Sequence, residues 1–298
     1  MPQDHPRTAT TGRFAPSPTG DLHFGSLLAA VASYTQAKVS GGQWLLRIED
    51  IDPPREVSGS AERIVADLQR FGLRSDRPVL HQSTRITAHR DALQELLDRG
   101  LAYWCGCSRS QLPHSGIYPG TCRNGLPAGK RRRVVRLKVA AEPVRFTDEV
   151  QGEVTASLQQ TVGDFVIWRA DGLPAYQLAV VVDDAFQQIT EVVRGADLLA
   201  STVRQIQLQR SLGLLTPRYA HHPIAVGADG RKLSKSTSSD PIRATPPASL
   251  LQTALRFLGQ PCPSEAGLDL DGTWRWALDN WSLSRVPRQL EIPLRMGL

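Results

Sequence analysis

The stretch RFAPSPTGDLHFGS, residues 13–26, constrains this chain more than any other. It joins a short extended segment to a helical pattern through two prolines and a glycine, so the loop is shaped before anything binds. Leu27, Leu28, Val31 and Tyr34 recur at helical spacing over 23–38, and Gly41 and Gly42 stop the helix. WLLRIED, residues 44–50, is an apolar run that ends in charge, the pattern of a buried strand reaching a site. Strand, loop, helix and strand in this order make a βαβ unit, and a parallel sheet is expected. In such a sheet the loop after the first strand faces the carboxyl edge, where ligands bind. The helix that follows offers free N–H groups and a positive dipole end to a phosphate. His23 stands at that end as a donor, and Gly25 lets a nucleotide come close to the backbone.

Along the rest of the 298 residues, helical patterns cover 60–71, capped by Ser60, then 84–99 and 201–212. RRVVRLKV alternates, with Val135, Leu137 and Val139 on one face and Arg136 and Lys138 on the other. FVIWRADGLPAYQLAVVVDD, residues 165–184, reads as further strands with a hairpin turn at Asp171 and Gly172. The last part, 241–298, is helical and carries Trp274, Trp276 and Trp281, which read as core.

Four cysteines are too few for a disulfide scaffold. Cys105, Cys107 and Cys122 cluster in a Gly-, Pro- and Ser-rich stretch, 103–125, that needs something to organise it. Three thiolates suggest a structural zinc, which takes four ligands, and on chemistry alone His114 is the fourth candidate. KLSKS, residues 232–236, places Lys232 and Lys235 on a glycine-flanked loop. Such a loop can close over a nucleotide and stabilise charge on a transferring phosphoryl group. A net charge of +6 allows a polyanionic partner without demanding one, and KRRR at 130–133 is a candidate contact for RNA phosphates. Residues 1–11 read as a disordered tail without the apolar stretch of a secretory leader, and no run is long enough to span a bilayer. A cytoplasmic location without membrane partners is expected.

HFGS and KLSKS, in this order and separation, resemble the two signature motifs of class I aminoacyl-tRNA synthetases. RFAPSPTG together with RIED is similar to the glutamyl branch of that class. The resemblance implies a Rossmann-like α/β catalytic domain over 12–240, with a zinc-binding insertion at 101–125 and a small helical C-terminal segment at 241–298. RIEDIDPPRE carries Ile51 where full-length glutamyl enzymes usually have threonine, and 241–298 leaves no room for a helical anticodon-binding domain. Both features resemble the short glutamyl paralogues that attach glutamate to the queuosine base in the anticodon of aspartate tRNA.

The implied activity is that of a ligase. It forms glutamyl-adenylate from ATP and L-glutamate, with Mg²⁺ accompanying the ATP, and then transfers glutamate to queuosine in the tRNA. The alternative is a truncated glutamyl-tRNA synthetase charging the acceptor end. By resemblance Arg13 and Arg194 clamp a glutamate carboxylate, which suits the bidentate guanidinium fork. Glu49 takes the ammonium, Tyr176 and Ser17 add neutral hydrogen bonds, and Phe14, Ala15 and Pro16 complete that wall. His23, Gly25, Ser26, Lys232 and Lys235 hold ATP, with His23 and Lys235 catalytic. The resemblance makes Tyr118, four residues before Cys122, the fourth zinc ligand in place of His114, and it implies a monomer.

Overall fold

The computed structural model describes residues 10–113, 115–227, 241–262 and 268–294. Its first elements are β1 (Thr11–Phe14), α1 (Phe24–Val39), β2 (Gln43–Ile48), α2 (Ser60–Arg70) and β3 (Leu80–His81). α3 (Ile86–Asp98), β4 (Ala102–Cys105) and β5 (Val134–Leu137) come next, then the hairpin of β6 (Val144–Asp148) and β7 (Gly152–Ala156). The chain continues through α4 (Leu158–Thr161), β8 (Val166–Trp168), α5 (Tyr176–Phe186), β9 (Glu191–Gly195), α6 (Leu199–Ser211) and β10 (Arg218–His222). It closes with β11 (Ile224–Val226), α7 (Pro241–Ala244), α8 (Pro247–Phe257), α9 (Leu270–Asn280) and β12 (Glu291–Pro293).

β1, β2 and β3 run parallel in that order, as the βαβ reading requires. A second sheet has the order β7-β6-β10-β9, with β9 and β10 parallel. The two sheets meet where the Thr190 N–H donates to the Thr11 carbonyl at 3.0 Å. From this junction the crossover through α1 leads one way and that through α6 the other, so the carboxyl ends of β1 and β9 form a switch-point crevice.

β2 shows why its residues read as one apolar run. Trp44, Leu46 and Ile48 pack with α1 and the C-terminal helices, whereas Leu45 joins the opposite core with α5 and α6. Both faces of the strand are therefore covered, and period-two alternation places Arg47 on the Leu45 face, fully buried. A third, antiparallel sheet, β4-β5-β8, pairs Cys105 with Val134, so residues 106–133 hang from the end of a strand pair.

Three local readings change. Residues 176–186 form helix α5 instead of a second strand; only a Trp168–Pro174 bridge remains of the hairpin, around Gly172 at φ +83°. The β-branched run Val180, Val181, Val182 is overridden because α5 is packed on almost every side, where burial outweighs strand propensity. Ser60 is the first residue of α2, preceded by Gly59 in a left-handed conformation, and its hydroxyl bonds the Gly20 carbonyl at 2.6 Å instead of capping. Arg136 faces away from solvent, with Nη1 on the Asp164 carbonyl at 2.7 Å.

α8 and α9 bury Leu251, Ala254, Leu255 and Trp274 against α1, so these C-terminal helices share the main core. Among the described residues no helix is long and apolar enough to cross a membrane. Trp274 Nε1 donates to the Phe71 carbonyl at 2.7 Å and its ring lies 5.0 Å from that of Tyr34, whereas Trp276 is 37% exposed. Trp274→Ala is expected to cost about 3–5 kcal/mol in denaturant melts. Trp276→Ala should cost far less, and equal losses would contradict this assignment of the core.

Candidate active site

A cleft of about 340 Å³ opens at the carboxyl ends of β1 and β9. Arg13, Phe14, Ala15, Pro16, Ser17, His23, Gly25, Ser26, Glu49, Tyr176 and Arg194 all line it. Lys232 and Lys235 lie outside the described residues. Three ties hold the proline loop: the Glu49 N–H donates to the Pro16 carbonyl at 2.9 Å, Val57 N–H to Pro18 at 2.9 Å, and Ser60 Oγ to Gly20. Gly20 sits at φ +135°, a conformation that favours glycine. The loop thus hands the chain from strand to helix in one shape.

His23 is the N-cap of α1, and its Nδ1 accepts the Ser26 N–H at 3.3 Å. A Cβ on Gly25 would lie 3.1 Å from the His23 ring, so the absence of a side chain there keeps the helix end open. This end carries the positive pole of α1 into the cleft.

The other end of the cleft is built on buried charge. Arg13 Nε and Nη2 donate to Asp184 Oδ1 and Oδ2 at 3.3 and 3.4 Å. Arg47 Nη1 donates to the same Oδ1 at 2.8 Å and to Gln187 Oε1 at 2.7 Å, and its Nη2 reaches Glu49 Oε1 at 3.3 Å. Burial pushes the Asp184 carboxyl up, but the guanidinium groups of Arg13 and Arg47 outweigh it and hold the group below its ordinary range. Glu49 goes the other way: burial raises it more than Arg47 and Arg13 lower it. A ligand ammonium beside Glu49 would favour its ionised form. Burial likewise raises the Tyr176 phenol, which stays a neutral hydrogen-bonding group.

Arg194 is buried on β9, with Nε on His221 Nε2 at 3.1 Å and Nη2 on Thr202 Oγ1 and Gln205 Oε1, each at 2.7 Å. Among the described residues its Nη1 is buried without a partner. Asp184, Arg47, Gln187, His221, Thr202 and Gln205 were not expected from the sequence. The signals were present as an arginine inside an apolar strand and the acidic pair VVDD at the end of an apolar run, but only the packing of α5 on β1 and β2 brings them together.

Residues 9–115 and 121–243 match the family of class I tRNA synthetases (E and Q), catalytic domain. The chain is 53% identical over 289 residues to the glutamyl-Q tRNA(Asp) synthetase of Dechloromonas aromatica (strain RCB), covering 93% of this chain and 96% of that one. It is 50% identical over 288 residues to the enzyme of that name from Aromatoleum aromaticum, covering 94% and 91%. The chain belongs to the glutamyl-Q tRNA(Asp) synthetase family. Its fold resembles that of the glutamate-tRNA synthetase of Elizabethkingia anophelis, with a TM-score of 0.82 at 24% identity over 97% of this chain and 68% of that one.

This member of the family also gathers its cysteines. The Cys105, Cys107 and Cys122 sulfurs are buried, lie within 4.8 Å of one another and can hold a metal ion. Cys107 and Cys122 Sγ are 3.7 Å apart, close to the ~3.8 Å edge of a tetrahedron with metal–sulfur bonds of about 2.3 Å. Tyr118 Oη lies 3.3 Å from Cys105 Sγ and 3.9 Å from Cys107 Sγ, while His114 is outside the described residues. Arg136 stacks on the Tyr118 ring at 3.8 Å and donates to Cys105 Sγ, and Lys130 donates to Cys107 Sγ. Burial pushes the Cys105 thiol up, but hydrogen bonds from Tyr118, the Cys107 N–H and Arg136 bring it down to about 7. The donor set therefore fits a thiophilic cation.

The Asp184 junction sets a pH-dependent part of the stability. Its depressed carboxyl contributes fully above the unfolded value of about 4, and that contribution is lost as pH falls through the lower folded value. Asp184→Asn leaves two buried guanidinium groups short of a counter-charge and is expected to cost about 3–5 kcal/mol at neutral pH. In urea melts the gap from wild type should narrow as pH drops below about 4. A gap that stayed constant with pH would overturn the charge assignment.

Proposed function

We propose that the chain uses ATP to activate L-glutamate as glutamyl-adenylate and then transfers glutamate to the queuosine base in the anticodon of aspartate tRNA, acting as a cytoplasmic monomer. The observation that carries this reading is one cleft holding two buried arginines and a buried carboxylate beside the open N-terminus of α1. The names of its half-identical relatives point to the same reaction.

The chemistry follows from the residues. Arg13 and Arg194 hold a substrate carboxylate, Glu49 takes the ammonium, and Tyr176 and Ser17 supply neutral hydrogen bonds. The amino acid is thereby fixed with an α-carboxylate oxygen facing the α-phosphorus. That oxygen attacks, the bond to pyrophosphate breaks, and the acyl-adenylate forms. His23, Gly25 and Ser26 seat the triphosphate at the helix end, with Lys232 and Lys235 supplying positive charge as pyrophosphate departs. Mg²⁺, when bound with ATP, screens the phosphates. A queuosine hydroxyl then takes the glutamyl group and AMP leaves. Positioning and charge suffice, and no covalent enzyme intermediate is required.

Cys105, Cys107, Tyr118 and Cys122 would hold one structural zinc ion, ordering the segment between β4 and β5. Purified protein should then carry about one zinc per chain by metal analysis. A folded, zinc-free preparation would overturn that assignment.

The activity is checked by pyrophosphate exchange with glutamate in the absence of tRNA, followed by transfer to aspartate tRNA with and without queuosine. Labelling of the queuosine-bearing tRNA alone is expected, and equal labelling of both would sink the modification reading in favour of acceptor-end charging. Lys235→Ala should reduce adenylate formation by about a hundredfold or more and leave glutamate binding near normal. A fully active variant would mean that the loop has another role.

A further inference from the structure

Three arginines are buried around the cleft, and they are neutralised differently. Arg13 and Arg47 share the Asp184 carboxylate directly. Among the described residues the hydrogen-bond partners of Arg194 are neutral: the His221 imidazole, the Thr202 hydroxyl and the Gln205 amide oxygen. Its hydrogen-bonded link to a carboxylate runs through His221, whose Nδ1 meets Asp148 Oδ2 while both side chains are fully buried.

The polarity of this chain is forced. A carboxylate can only accept, so His221 Nδ1 must carry the proton and its Nε2 is left bare. Arg194 Nε–H can only donate, and it is given an acceptor at 3.1 Å. Thr202 Oγ1, 3.0 Å from the same Nε2, accepts from Arg194 Nη2 and so fixes a second edge of the guanidinium. Among the described residues one nitrogen, Nη1, is left buried without a partner in a residue that lines the cleft.

We propose that Asp148 and His221 are positioning residues for the amino-acid substrate, which lock Arg194 in orientation while keeping its charge free of any contacting carboxylate, so that the substrate carboxylate becomes its counter-ion. The inference rests on the reading that Arg194 binds glutamate. It extends the site to Asp148 of β6 and His221 of β10. Burial and the nearby Arg194 charge both act to keep His221 neutral against the pull of Asp148, which suits the relay.

Asp148→Asn is the discriminating variant. Asp148 Oδ1 accepts the N–H groups of Val150, Gln151 and His221 at 3.1, 2.8 and 3.1 Å. An asparagine must keep its oxygen there and present its NH₂ to His221 Nδ1. The imidazole then carries its proton on Nε2, donor against donor with Arg194 Nε–H. In pyrophosphate exchange, the KM for glutamate is expected to rise about tenfold or more while the KM for ATP stays put. An unchanged glutamate KM, or equal rises for both substrates, would overturn the proposal.

Arg194→Ala separates the two readings. If it raises the glutamate KM and Asp148→Asn does not, the relay alone fails; if it leaves that KM unchanged, the reading beneath the relay fails with it. A measurement on the wild-type chain covers the case in which Asp148→Asn does not fold. ¹⁵N NMR of labelled imidazoles at neutral pH should show His221 neutral with the proton on Nδ1. A proton on Nε2, or an imidazolium, would overturn the inference.

Discussion

Asp184 is the interaction on which the charged end of the cleft depends. One carboxylate on α5 joins Arg13 of β1 to Arg47 of β2, and Arg47 in turn holds Glu49. Taking such groups out of water is expensive unless each is paired and hydrogen-bonded. The shared bridge meets that condition for Arg13, Arg47 and Asp184 at once, while leaving Glu49 raised by burial. The same contacts dock α5 on the sheet, so the helix that carries Tyr176 is placed by the network it completes.

The cleft is divided along chemical lines. At one end, β1, β2, α5 and β9 deliver buried charge in fixed positions; at the other, α1 delivers a helix end capped by His23. The proline loop between them is tied at Pro16, Pro18 and Gly20 by neighbours from the β2–α2 connection and α2 itself. Stiffness of that kind fixes the distance between the two ends, as the proposed attack of carboxylate on α-phosphorus requires. Arg194 belongs to the first end but is built unlike Arg13, with neutral partners and one unpartnered nitrogen among the described residues.

The cysteine cluster lies at the end of β4 and on the segment that follows it, and none of its residues lines the cleft. Its surroundings are cationic: Arg136 and Lys130 each approach a cysteine sulfur, and Arg132 lies 5.5 Å over the Trp104 ring. Within the basic stretch 130–133, Lys130 thus faces the sulfur cluster, while 131–133 stay exposed.

Much of this was legible in the sequence. The βαβ unit, its parallel sheet, the loop at the carboxyl edge and the cysteine cluster follow from periodicity, turn residues and spacing, which are local properties. The residues that the family resemblance assigned to glutamate all line the cleft. What only the tertiary structure decided is who neutralises whom. Asp184 meets Arg13 and Arg47, Asp148 meets His221 and through it Arg194, and Arg136 turns inward to Cys105 and Tyr118. These partners are far apart in the chain, and sequence spacing carries no signal for them. The cost of leaving a buried charge unpaired selects them, and that cost exists only after the sheets and helices have closed.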